Sequence, residues 1–172
     1  LQTVFQPVVD LASGATVGYE SLVRSPEGSA GSLLAAAYRS DRVAEFDWAA
    51  RASACRAALA AGVERDQILF MNVEPLALDS ECPPDLWPDI EKAFAKFRVV
   101  LEVTEQSLDR DPGTLLDGLD RKRRLVEGLA VDDVGSEPAT LAMMPLIAPA
   151  VIKLDLTVTQ AESTWELVKT LD

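Results

Sequence analysis

Five short apolar runs in this chain each lead into a group that can hold a cation or a phosphate. Val17-Gly18-Tyr19 leads to Glu20, Ile68-Leu69-Phe70-Met71 to Asn72, and Val99-Val100-Leu101 to Glu102. Leu129-Ala130-Val131 leads to Asp132-Asp133, and Val151-Ile152 to Lys153-Leu154-Asp155. Parallel strands wrapped by helices place all their ends on one rim, where residues distant in sequence converge. A rim of carboxylates with one amide and one ammonium suits a hard divalent cation, which prefers oxygen ligands, and therefore phosphate chemistry. Adjacent carboxylates at a strand end, such as Asp132 and Asp133, can bridge two cations, and ~3.5–4 Å is the usual separation in two-metal phosphoryl sites. Only one of the two can follow the inner face of the strand; the other must sit where the backbone turns.

The chain has no histidine. That excludes a Ser-His-Asp triad, a Cys-His pair and an HExxH zinc helix. Catalysis must then rely on carboxylates, lysine or a metal ion. The net charge is −12. Such a surface repels nucleic-acid polymers, whose affinity comes from basic groups displacing counterions. A small anion can still bind where cations or a few Arg and Lys residues reverse the local sign. Cys55 and Cys82 lack metal-ligand spacing, so a reducing, cytoplasmic setting is expected. No apolar stretch approaches the ~20 residues a membrane span needs, and no signal peptide opens the chain.

The elements that must position these groups follow from periodicity. Phe5–Leu11 and Thr16–Arg24 read as strands joined by the turn at 12–15, hence an antiparallel hairpin. A short helix is expected over Leu33–Tyr38 and a long one from about Arg42 to Ala61. Ser40 or Asp41 would cap the long helix, Gly62 would end it, and Val43, Phe46, Ala50, Ala54, Ala57 and Ala61 would form its buried stripe. Strands are expected at Leu69–Val73, Arg98–Thr104, Leu129–Asp133 and Ala150–Asp155. Helices are expected after Pro83-Pro84, after Asp111-Pro112 (with Leu115, Leu116, Leu119 and Leu125), after Ser136-Glu137-Pro138 (with Leu141 and Met144 inward), and at the capping box Ser163-Thr164-Trp165-Glu166. Strand–helix alternation argues for a parallel α/β sheet or barrel. A closed barrel needs eight strands and about 250 residues. Six strands are visible, so the expectation is a single domain over 1–172 with the last barrel units outside it.

Six motifs carry a resemblance. They are Phe5-Gln6-Pro7-Val8-Val9-Asp10, Gly18-Tyr19-Glu20-Ser21-Leu22-Val23-Arg24, Asn72-Val73-Glu74-Pro75, Glu102-Val103-Thr104-Glu105, Asp132-Asp133-Val134-Gly135 and Ile152-Lys153-Leu154-Asp155. In this order and rough spacing the chain resembles the EAL domain family, bacterial cyclic di-GMP phosphodiesterases built on a modified TIM (β/α)8 barrel whose first strand is antiparallel. Each motif alone is weakly specific; the six in order are not.

The resemblance implies roles residue by residue. Glu20, Asn72, Glu102 and Asp132 resemble ligands of a first metal, and Asp133 a ligand of the second. Lys153 resembles the lysine that holds the attacking water or a phosphate oxygen. Gln6 and Arg24 resemble substrate-binding residues, with Arg24 gripping phosphate, and Glu105 resembles the glutamate that steadies the loop after Leu129–Asp133. The implied cofactor is Mg²⁺ or Mn²⁺, with Ca²⁺ binding but not supporting turnover. The implied reaction is hydrolysis of cyclic di-GMP to linear pGpG by a two-metal mechanism, in a homodimer with fused sensor or output domains. The loop after Asp133 reads Val-Gly-Ser-Glu-Pro where active members usually have Phe-Gly-Thr-Gly-Tyr. The alternative is therefore a catalytically weak or inactive EAL domain acting as a cyclic di-GMP receptor. Taken singly, Lys153 would be an ion-pair partner for Asp155 or Glu102, and Glu74 a structural residue.

Overall fold

Side chains alternate across the central strands, and this period of two divides the core into two layers. On the outer face Leu69, Met71, Val99, Leu101, Val103, Leu129 and Val131 join one cluster with the helices. On the inner face Phe70, Val100 and Ala130 form a smaller cluster, joined by Val8, Ile68 and Val151. Leu69, Met71, Leu101 and Leu129 are essentially fully buried. Each such side chain contributes roughly 1.5–3 kcal/mol, so the outer layer can hold the sheet while the strand ends carry charged groups.

The computed structural model describes residues 1–26, 28–108, 112–135 and 138–160. Strands β1 (Gln2–Val9) and β2 (Thr16–Arg24) form the expected antiparallel hairpin. There follow α1 (Ala30–Arg39), α2 (Val43–Ala61), β3 (Ile68–Asn72), a 3-10 turn (Pro75–Ala77), α3 (Trp87–Lys96) and β4 (Arg98–Thr104). The chain continues with α4 (Glu105–Leu108), α5 (Pro112–Arg123), β5 (Gly128–Val134), α6 (Pro138–Ile147), β6 (Val151–Leu154) and α7 (Leu156–Gln160). The strands form one sheet in sequence order, parallel from β2 onward. β2 and β6 are four strands apart, about 19 Å in a flat sheet. Yet Lys153 on β6 reaches Glu20 on β2 at 3.0 Å. The sheet is curled into half a barrel.

Several boundaries differ from the sequence reading. β1 starts at Gln2 rather than Phe5 because its ladder runs to Arg24, the end of its partner. Ser40 does not cap α2; its hydroxyl donates to Ala36 O at 2.8 Å and closes α1, and Asp41 (φ 55) makes the corner. Gly62 ends α2 in the left-handed conformation, φ 70, as expected of a C-terminal glycine. The buried face of α2 is the larger correction. Of the expected stripe only Val43 and Ala54 are buried, and the face runs instead through Asp47, Trp48, Arg51, Ala52, Cys55 and Ala58. The helix packs on β1, α3 and the 3-10 turn together, so no single apolar row defines its inside. Regular helix after Pro83-Pro84 begins at Trp87, and Leu125 lies beyond α5, exposed. The caps read at Ser136-Glu137 and Ser163–Glu166 and the side chain of Leu141 lie outside the described residues.

Candidate metal and phosphate site

Because β2, β4, β5 and β6 are parallel, Glu20, Glu102, Asp132 and Lys153 meet at their common rim. Lys153 Nζ donates to Glu20 Oε2 at 3.0 Å and to Asp132 Oδ2 at 2.9 Å. It also stands 3.0 Å from Glu102 Oε1. One oxygen from each of the three carboxylates lies within 4.8 Å of the others. Lys153 does not pair with Asp155, whose carboxylate accepts from Thr157 N–H at 2.7 Å and from the Thr157 hydroxyl.

Three carboxylates share one ammonium, and the imbalance shows at Glu102 and Lys153. Glu102 is 1 % exposed. Burial pushes its carboxyl up to about 7; the Lys153 charge opposes this, while Glu20 and Asp132 add to it. For Lys153, burial pulls the ammonium down, but the Glu102 charge and the hydrogen bonds to Asp132, Glu102 and Glu20 outweigh it and hold it above its ordinary value. Glu102 Oε2 meets no donor among the described residues, and Oε1 faces only the Lys153 ammonium that Glu20 and Asp132 share. A buried carboxylate oxygen without a donor costs at least the ~1–3 kcal/mol of a neutral orphan. A divalent cation would satisfy it, and the donor set is all oxygen, so the residues present fit a hard metal ion.

The other expected site residues surround this cluster. Asn72 ends β3, in register with Glu102. Gln6 lies on β1 opposite Glu20 and is exposed. Asp132 turns inward; Asp133 adopts φ 58, is exposed, and donates its N–H to Asp132 Oδ1 at 3.0 Å. The β5–β6 ladder shifts register between Val131 and Val134, which lets neighbouring carboxylates part. Partial burial, then Asp132 and Asp155, raises the Asp133 carboxyl. Arg24 is exposed at the end of β2 and donates to Val23 O at 3.0 Å. Glu105, 1 % exposed, receives the Gly135 N–H at 3.4 Å on Oε1 and 3.3 Å on Oε2, tying α4 to the segment after β5.

The sequence reading missed Asp47 and Arg51, buried beside the turn that follows Asn72. Their i, i+4 spacing on a helix was the available signal.

A family model described as the EAL domain matches residues 1–166. The chain belongs to the EAL domain family. An uncharacterized signaling protein of Caulobacter vibrioides is 29% identical over 159 residues, which is 88% of this chain and 19% of that protein. Klebsiella pneumoniae BlrP1, solved as a manganese/cyclic di-GMP complex, superposes with a TM-score of 0.81 at 25% identity. The match covers 99% of this chain and 45% of BlrP1. Bacillus subtilis YkuI, a protein with an EAL domain solved with cyclic di-GMP and calcium, shares the fold at TM-score 0.72 and 23% identity, over 99% of this chain and 45% of its own. The chain thus spans about a fifth of the curated relative and under half of either solved neighbour.

Within this EAL domain the motif that names the family reads Glu20-Ser21-Leu22. Ser21 faces away from the carboxylates. It is buried, and its hydroxyl donates to Phe70 O on β3 at 2.9 Å. The buried hydroxyl is therefore satisfied, and the substitution leaves no orphaned group beside Glu20.

Proposed function

We propose that this EAL domain binds cyclic di-GMP at the carboxylate rim and, with Mg²⁺ or Mn²⁺, hydrolyses one phosphodiester bond to give linear pGpG. The observation that carries the reading is the convergence of Glu20, Glu102 and Asp132 around one point, with Glu102 Oε2 buried and without a donor among the described residues. The likeness to BlrP1, solved with manganese and cyclic di-GMP, supports it. Glu20, Asn72, Glu102 and Asp132 would hold one cation, and Asp133 a second. Bound there, the cations supply Lewis acidity toward the phosphate and toward the attacking water.

The chain's own groups divide the remaining work. The carboxylates around Lys153 hold its ammonium above the ordinary value. It is a hydrogen-bond donor, placed to orient a water or a phosphate oxygen. Arg24 spends one donor on its neighbour's carbonyl and keeps the rest of its fork for a phosphate. Gln6, exposed opposite Glu20, offers an amide to the ligand. Glu105 steadies the segment that carries Asp133. A homodimer and attached sensor or output domains complete the reading; likeness to a signaling protein supports the latter.

The test is cyclic di-GMP turnover by the intact protein with Mn²⁺, with pGpG followed chromatographically, beside the Glu20→Ala variant. Product formation that the variant and EDTA abolish is expected. Tight binding without product selects the receptor reading. No binding at all rejects both.

A further inference from the structure

We propose that the buried Asp47–Arg51 pair of α2 is a positioning device for Asn72, setting the turn that presents this amide to the cation site; the inference rests on the cation reading above. The Asn72 carboxamide has no hydrogen-bond partner among the described residues, so where it can reach depends on the backbone on either side of it. Before it runs the β3–β4 ladder. After it, Val73 N–H donates to Glu102 O at 2.9 Å, and Glu74 N–H donates to Asp47 Oδ2 at 2.7 Å. The Tyr38 hydroxyl donates to Glu74 Oε2 at 2.7 Å. Further along, Trp48 Nε1 donates to Ser80 Oγ at 2.8 Å, and that hydroxyl donates to Ala77 O at 2.8 Å. Two successive residues of one helix, Asp47 and Trp48, therefore grip both ends of the segment that follows Asn72.

Arg51 fixes this grip. Its guanidinium pairs with Asp47 Oδ1 and lies 3.8 Å over the Trp48 ring. Asp47 is 4 % and Arg51 3 % exposed. An ion pair buried this deeply adds little net stability, and apolar residues of similar volume often do as well or better. Arg51 Nε makes no hydrogen bond, a cost that again argues against stability as the pair's purpose. What the pair supplies is direction. A carboxylate clamped by a guanidinium is an acceptor with one orientation, and the Glu74 N–H must meet it there.

Two double variants of the intact protein test this, with Mn²⁺ affinity read by calorimetry and fold stability by the urea midpoint in EDTA. Asp47→Leu/Arg51→Met removes both charges and the acceptor. Its midpoint should equal or exceed the wild type, while its Mn²⁺ Kd rises about tenfold or more, as for lost outer-shell partners. Asp47→Asn/Arg51→Met keeps an uncharged acceptor for the Glu74 N–H and should return the Kd to within about threefold of wild type. Wild-type affinity in the Leu/Met variant overturns the inference, as does a folded Asn/Met variant that recovers none. If the Leu/Met variant does not fold, Tyr38→Phe decides: a Kd about fivefold weaker at unchanged stability supports the inference, and an unchanged Kd overturns it. Absence of Mn²⁺ uptake by the wild type rejects the cation reading itself, a different failure.

Discussion

Lys153 Nζ stands 3.0 Å from Glu102 Oε1, while Oε2 of that buried carboxylate meets no donor among the described residues. The ammonium is divided among Glu20, Asp132 and Glu102, and Glu102 is the most deeply buried of the three. Its pKa of about 7 against an ordinary 4.5 follows. A carboxyl raised on folding favours the protonated folded state. Its stabilising contribution is full below about 4.5 and is lost as pH climbs through about 7. A cation needs the ionised form, so below about 7 it must displace the Glu102 proton. Mn²⁺ affinity should therefore weaken by up to about tenfold per pH unit below that value, with close to one proton released on binding at pH 6. Titrations in buffers of different ionisation enthalpy measure the proton count. An affinity flat between pH 6 and 8 would contradict the assignment.

Gly135 sits at φ 131, and a Cβ added to it would run into Val158 Cγ2. Its N–H is also the one that faces the Glu105 carboxylate. Gly135→Ala should cost about 1–3 kcal/mol through backbone strain, with a further loss from displaced Val158. Adding Val158→Ala should recover the steric part and leave the backbone part. Urea midpoints of the three variants separate the two contributions, and a Gly135→Ala protein as stable as wild type would remove both.

Ala148 offers the opposite case. It adopts φ 43, just after α6, with its N–H donated to Met144 O at 2.8 Å. Arg123 covers the same helix end, donating to Ile147 O and, at 3.3 Å, to Ala148 O. A left-handed alanine costs about 1–2 kcal/mol, and glycine returns part of that to the unfolded chain as entropy. Ala148→Gly should thus stabilise by about 0.5–1 kcal/mol, a rise of about 2 °C in Tm. A lowered Tm would show that the strain is absent.

The strands and the ends that carry Glu20, Asn72, Glu102, Asp132 and Lys153 were legible in the sequence, because each apolar run is short and stops at a polar group. Glu20, Glu102, Asp132 and Lys153 do meet, as convergence at a parallel rim requires. The inner face of α2 was not legible. Periodicity finds apolar rows, and this helix buries Asp47 and Arg51, which stay inside only because they pair with each other and with the Glu74 N–H. Nor could spacing reveal that Lys153 binds three carboxylates at once. That depends on the curl that brings β6 across to β2, a property of the whole sheet and not of any segment.

In the proposed cation site, that curl makes Lys153 a built-in competitor for the three carboxylates. The ammonium and a divalent cation answer the same surplus of negative charge. Lys153→Met should therefore divide two effects that a simple catalytic role would not. Without metal, the cluster loses the one positive partner it has among the described residues. Full burial would make that loss about 3–5 kcal/mol, and this partly open site should show about 1–3. With saturating Mn²⁺ most of the loss should return, because the cation compensates the carboxylates in place of the ammonium. The Mn²⁺-induced rise in Tm should accordingly be larger in Lys153→Met than in wild type, even as cyclic di-GMP turnover falls. Thermal scans with EDTA and with Mn²⁺ measure both terms. Equal Mn²⁺ shifts in the two proteins would mean that the ammonium and the cation do not share these carboxylates.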